Sequence, residues 1–175
     1  MRWLAPNKND KPYILIVEDN QTQLELFAAI IKETGLYNVL TATSGEEAFE
    51  VLERHERGFD FLTNGISCIL LDWQMPKMNG ETFLKKLRQK ELKSPFKRHV
   101  PVVIITAFGD NDLRMVATNA SFGLASAYLL KPFEEDELLL TVKRIVLDKE
   151  AELMRELLAE QRSLWIKDLD KPHRH

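Results

Sequence analysis

A chain of 175 residues with 45% hydrophobic composition suits one domain with a substantial core and is too apolar for a disordered chain. Its 24 Lys and Arg against 27 Asp and Glu leave a net charge of −3, which argues against a nucleic-acid binder, a class that usually carries a strongly basic face. The single cysteine excludes an intramolecular disulfide and a cysteine-rich metal site; with no apolar run near the ~18 residues of a membrane span and no signal-peptide core at Met1, a cytoplasmic protein is expected.

Residues 1–11 read as a flexible N-terminal segment. Five short apolar runs follow, alternating with segments of helical period. The first run is 13–17, and the helix after it has a stripe of Leu24, Phe27, Ile30 and Ile31. The second run, 39–42, precedes a helix opened by the capping box Ser44-Gly45-Glu46-Glu47, with Ala48, Val51 and Leu52 as its core face. The third run, 68–71, includes Cys68, expected as a small buried hydrophobe. A helix with Phe83, Leu84 and Leu87 leads to the fourth run, 102–106. A further helix, with Leu113, Val116, Ala117 and Ala120, precedes the last run, 127–130, and a fifth begins at Glu134.

The third and fourth runs are almost uninterrupted apolar stretches, as strands covered on both faces require. Strict alternation with short connections predicts an α/β fold with a doubly wound, five-stranded parallel sheet. Asn64-Gly65 and 93–99 read as loops. Ligands of such sheets bind at the carboxyl ends of the strands, where the strand order reverses.

Chemistry collects at those ends. Glu18, Asp19 and Asn20 follow the first run, Asp72 closes the third, Thr106 closes the fourth, and Lys131-Pro132 follows the fifth. Taken singly, these residues read as helix caps and turns. Four such groups at four strand ends point to a site. Crowded carboxylates repel, and an all-oxygen set without His or Cys suits Mg²⁺. The four histidines show no ligand spacing, and His55, in a charged stretch, is expected on a solvated helix face.

These residues resemble a known family. Ile14-Leu15-Ile16-Val17-Glu18-Asp19-Asn20, Leu70-Leu71-Asp72-Trp73-Gln74-Met75-Pro76-Lys77-Met78-Asn79-Gly80, Ile104-Ile105-Thr106-Ala107 and Tyr128-Leu129-Leu130-Lys131-Pro132-Phe133 look like the motifs of response regulator receiver domains, in receiver order, over residues 12–147. The resemblance implies a flavodoxin-like receiver fold in which Asp72 accepts a phosphoryl group from a histidine kinase or histidine phosphotransfer protein. Asp19, Asp72 and the backbone carbonyl of Gln74 would ligate Mg²⁺, with Glu18 acting through water. Lys131 would pair with one phosphoryl oxygen and Thr106 with another, and Thr106 with Tyr128 would switch a surface read by a downstream protein. The peptide before Pro132 would be cis. Such a domain is not an enzyme beyond its own phosphorylation and dephosphorylation. Gln74 and Phe108 stand where the family tunes hydrolysis, and Phe108 offers no group to place a water, so a long-lived phosphoryl state is expected.

The helical pattern continues past 147 to about Asp168. Leu147, Ala151, Met154, Leu158, Gln161 and Trp165 recur at spacings of four and three, so residues 148–175 read as a helical extension with a polar tail. Pairing of two chains into a homodimer is the expectation for this seam, and packing on its own domain is the alternative. The segment is too short for a helix-turn-helix or catalytic output module, so no direct nucleic-acid contact is expected, and with no long apolar run no membrane contact is expected either. Two rival functions remain: an Mg²⁺-dependent aspartate-nucleophile phosphohydrolase and a degenerate receiver used as a scaffold. Gln74 stands where the first would need a second aspartate, and the intact acidic, Thr106 and Lys131 set argues against the second.

Overall fold

The structure, a computed structural model, describes residues 11–56, 65–93, 100–107 and 125–148. Its strands are β1 (Tyr13–Val17), β2 (Asn38–Ala42), β3 (Ile66–Asp72), β4 (Val102–Ala107) and β5 (Ala127–Lys131). All pair in parallel, in the order β2-β1-β3-β4-β5, so the doubly wound five-stranded sheet read from the alternation is the fold observed. The central strands β1, β3 and β4 are buried along most of their length, which is why their sequences run apolar without alternation.

The helices are α1 (Gln21–Glu33), α2 (Gly45–Glu56), α3 (Gly80–Leu92) and α4 (Glu135–Lys143). Asn20 caps α1 by accepting from the Gln23 amide, and Asn79 caps α3 by accepting from Thr82. At α2, Ser44 accepts from the Glu47 amide, while the Glu47 carboxylate reaches back to the Thr43 amide and hydroxyl, each at 2.7 Å. The box therefore closes one residue earlier than the usual pattern. Those bonds hold the Glu47 carboxyl below its ordinary range. No side chain caps α4, but Glu135, Asp136 and Glu137 in its first turn favour the positive end of the helix dipole.

One core cluster packs α1 and α4 against the sheet through Leu24, Phe27, Ile31, Leu138 and Val142, with buried Cys68 in it. The other packs α2 and α3 through Ala48, Val51, Leu52, Phe83, Leu84 and Leu87. The stripes expected for α1, α2 and α3 are the faces buried, with Ile30 partly so. His55 departs from expectation: it is half-buried, with its ring edge-on to Tyr13 at 4.6 Å.

Arg88 and Glu91 of α3 form a buried ion pair of 2.7 Å that also holds the entry to β4. Arg88 donates to the Val100 carbonyl at 3.0 Å, and Glu91 accepts from the Val100 amide at 2.9 Å. After α4 the chain continues in a wider π-helical turn, Arg144–Asp148. The expected helix around 113–120 and the extension beyond 148 lie outside the described residues, as does Phe108. Among the described residues no helix is long and apolar enough to cross a membrane.

Candidate functional site

Strand order reverses between β1 and β3, since the chain leaves β1 for β2 on one side and β3 continues toward β4 and β5 on the other. The crevice at their carboxyl ends is where a doubly wound sheet takes its ligand. Glu18, Asp19, Asp72, Thr106 and Lys131 stand at or directly past the ends of their strands on this edge. Val17 pairs with Leu71, which sets Glu18 and Asp19 beside Asp72. Asp72 pairs with Ile105, leaving Thr106 one residue further along, and Ala107 pairs with Lys131.

The carboxylates of Glu18, Asp19 and Asp72 each offer an oxygen within 4.8 Å of the others. Glu18 and Asp72 are buried, at 3% and 5% exposure, while Asp19 is exposed. Lys131 bridges the two buried ones, donating to Glu18 Oε2 at 2.8 Å and Asp72 Oδ1 at 3.0 Å. Burial is the main cause that raises the Glu18 carboxyl above its ordinary range, with Asp72 adding repulsion and Lys131 opposing both. Burial also acts to lower Lys131, but its bonds to Glu18 and Asp72 outweigh that and leave it raised. Among the described residues Lys131 thus meets two of three clustered carboxylates, and an all-oxygen set with this excess of negative charge fits a hard divalent cation.

The loop after β3 shapes the other side. The Gln74 amide donates to Asp72 Oδ2 at 3.0 Å, so each Asp72 oxygen already has one donor. Lys77 takes a left-handed conformation (φ 66°) in this loop. Gly80 returns to donate to the Trp73 carbonyl, and a Cβ there would lie 2.9 Å from the Asp72 carbonyl oxygen, so the turn requires glycine. Thr106 is buried at 2% exposure, and Tyr128 on β5 is 37% exposed, at the surface rather than in the core. The Lys131–Pro132 peptide is cis, as the resemblance implies.

Sequence reasoning found every residue of this cluster but not its wiring. Glu18 bonds Lys131 directly, and its backbone neighbour Asn20 donates to its other oxygen, contacts the sequence reading did not name. The Gln74 amide contact with Asp72 was also missed; the tight turn after the strand was its only signal.

A family model described as the response regulator receiver domain matches residues 14–143. The chain belongs to the response regulator receiver family. The chemotaxis protein CheY-3 of Vibrio cholerae is 34% identical over 128 residues, covering 73% of this chain and 84% of that protein. The transcriptional regulatory protein CrdR of Helicobacter pylori is 32% identical over 154 residues, covering 88% of this chain. The chain spans 64% of that regulator's length and about half of other transcriptional regulators it matches. Among solved structures, the signal receiver domain of a signal transduction histidine kinase from Syntrophus aciditrophicus superposes with a TM-score of 0.60 at 29% identity, covering 77% of this chain and 89% of that one. The chain is thus a receiver of two-component signalling, and nothing in these likenesses favours a phosphohydrolase.

Proposed function

We propose that this receiver accepts a phosphoryl group on Asp72 from a phosphohistidine of a histidine kinase or phosphotransfer protein. The observation that carries the reading is the wiring of Asp72: a buried carboxylate at a strand end, with one oxygen on Lys131 and the other on the Gln74 amide. In the step proposed, an Asp72 oxygen forms the O–P bond as the N–P bond breaks, and the electron pair stays on the donor imidazole. Lys131 keeps its charge beside the incoming oxygens, and Thr106, one residue past Ile105, the register partner of Asp72 on β4, is proposed to donate its hydroxyl to another. Asp19, Asp72 and the Gln74 carbonyl are the residues proposed to hold Mg²⁺, with Glu18 acting through water. When bound, the ion supplies divalent charge that offsets the carboxylates and draws the phosphoryl oxygens in.

An aspartyl phosphate adds roughly −1.5 to −2 charges if it behaves as other phospho-residues do. Drawing Thr106 toward it vacates space for the Tyr128 ring, and the surface around β5 and α4 changes for a downstream protein target. Beyond its own phosphorylation and dephosphorylation the domain is proposed to catalyse nothing. The cytoplasm is the compartment proposed, because that is where receivers of this kind meet their phosphodonors. The receiver is proposed to span 12–147, with 148–175 as an extension that pairs two chains; the continuation of α4 through Asp148 supports the helical part.

The test is incubation with a small phosphodonor and Mg²⁺, followed by borohydride reduction and peptide mapping by mass. One phosphoryl group, with reduction located at Asp72, is the expected result; labelling elsewhere contradicts the proposal.

A further inference from the structure

Away from the phosphoacceptor crevice, α2 and α3 leave between them a groove of about 420 Å³, lined by Glu46 and Phe49 of α2, Met78 of the β3–α3 loop, Lys86, Gln89 and Lys90 of α3, and its C-cap Lys93. Lys86, Gln89, Lys90 and the C-cap Lys93 fall at i, i+3, i+4 and i+7, one face over two turns, or about 10 Å. The floor is apolar and firm. Phe49 packs on buried Phe83 with ring centroids 4.7 Å apart, and Met78 is buried. A Cβ on Gly45 would lie 2.7 Å from the Met78 sulfur, so the first turn of α2 closes directly on that side chain.

The rim is basic in a chain whose net charge is −3. Lys86 and Lys93 are exposed, and Lys90 lies 4.8 Å over the Phe49 ring while pairing with Glu53 at 2.7 Å. Five of the nine residues from Lys85 to Lys93 are Lys or Arg, and Arg88 alone among them turns inward to its buried partner.

We propose that this groove docks an acidic amphipathic helix of a partner protein, with an apolar anchor on Phe49 and Met78 and carboxylates against Lys86 and Lys93. Charge complementarity selects an acidic occupant, and an apolar floor flanked by lysines at helical spacing selects a helix. A thioether in the floor adapts to differently shaped anchors. Nucleic acid fits less well, since Glu46 and Glu53 border the lysines and the basic face is only two turns long. The surface is distinct from the one proposed above to switch around β5 and α4, and the inference does not depend on phosphorylation. The groove shares the β3–α3 loop with the site, because Met78 and Gln74 belong to the same turn.

The test uses the full chain and fluorescence anisotropy with three labelled probes: a synthetic helix of about four turns with Leu and Trp at i, i+4 and i+7 flanked by Glu, its scrambled counterpart, and a short DNA duplex. The designed helix is expected to saturate with a Kd on the order of 10–100 μM, while the scramble and the duplex bind at least about tenfold more weakly. Lys86→Glu with Lys93→Glu, both exposed, is expected to weaken binding of the helix probe at least about tenfold. Charge reversal at the exposed Lys32 and Lys143 is expected to leave it unchanged. Loss of binding with all charge reversals alike, no saturation by the helix, or equal binding of the duplex would overturn the proposal. Carbodiimide cross-linking of the free protein adds one more arm. An intramolecular link from Lys86 or Lys93 to a glutamate within 150–160 would assign the groove to the chain's own tail and overturn a partner.

Discussion

Asp72→Asn is expected to stabilise the metal-free protein while removing the group proposed to carry the phosphoryl. The Asp72 carboxylate lies within 4.8 Å of oxygens from Glu18 and Asp19, and 3.0 Å from the Lys131 ammonium. At an effective dielectric of about 20, two carboxylates at that separation repel by about 3.5 kcal/mol, and the lysine attracts by about 5.5 kcal/mol. Asp19 is exposed, so water screens its share toward about 1 kcal/mol. Repulsion and attraction therefore nearly cancel, and the penalty for burying an ionised carboxylate at 5% exposure decides the sign. Asparagine keeps an oxygen for Lys131 but turns an amide toward the Gln74 N–H, which returns about 1 kcal/mol. The expected net gain is about 1–2 kcal/mol, a stability–function trade-off. Urea unfolding in EDTA reads it directly, and the gain is expected to shrink in Mg²⁺, where the Asp72 charge becomes useful. A variant equal to or weaker than the parent in EDTA would refute the electrostatic reasoning.

Glu91→Ala removes the carboxylate that balances the buried Arg88 charge and accepts from the Val100 amide, so a loss of about 3 kcal/mol is expected in chemical denaturation, with Arg88→Met and Glu91→Leu together recovering most of it. Gly80→Ala drives a Cβ to within 2.9 Å of backbone atoms of Asp72 and Trp73, so a loss of about 2 kcal/mol in thermal melts and slower phosphoryl acceptance are expected. The Glu47 carboxyl is lowered by its bonds to Thr43, so its stabilisation is present above the ordinary value of 4.5 and is lost as pH falls through the folded value. Glu47→Gln is therefore expected to cost about 1 kcal/mol near neutrality, with parent and variant converging in urea titrations as the pH drops below that range.

The strands and helical faces were legible because burial on two sides leaves a simple mark. A parallel strand such as β3 must be apolar throughout, and α3 must present Phe83, Leu84 and Leu87 together. The site residues were legible for a related reason, since each follows directly on an apolar run. Their contacts were not. Lys131 meets Glu18 across 113 positions and Asp72 across 59, distances set by strand order and register rather than by local pattern. The direct Glu18–Lys131 bond follows from that register. Arg88 was illegible for another reason. In a lysine-rich stretch nothing distinguishes the one side chain that turns inward, and its partner Val100 lies 12 positions further on. His55 likewise sits in a charged stretch, yet meets Tyr13 at the start of β1, a neighbour fixed by tertiary packing alone.

Transfer from a phosphohistidine protein carrying radiolabelled phosphoryl, in Mg²⁺, tests the central claim most directly. The parent chain is expected to take the label from the donor as a base-labile acyl phosphate, and the folded Asp72→Asn chain is expected to take none. Equal transfer to the Asp72→Asn chain would contradict the account, as would a label on the parent that survives the alkali that cleaves acyl phosphates.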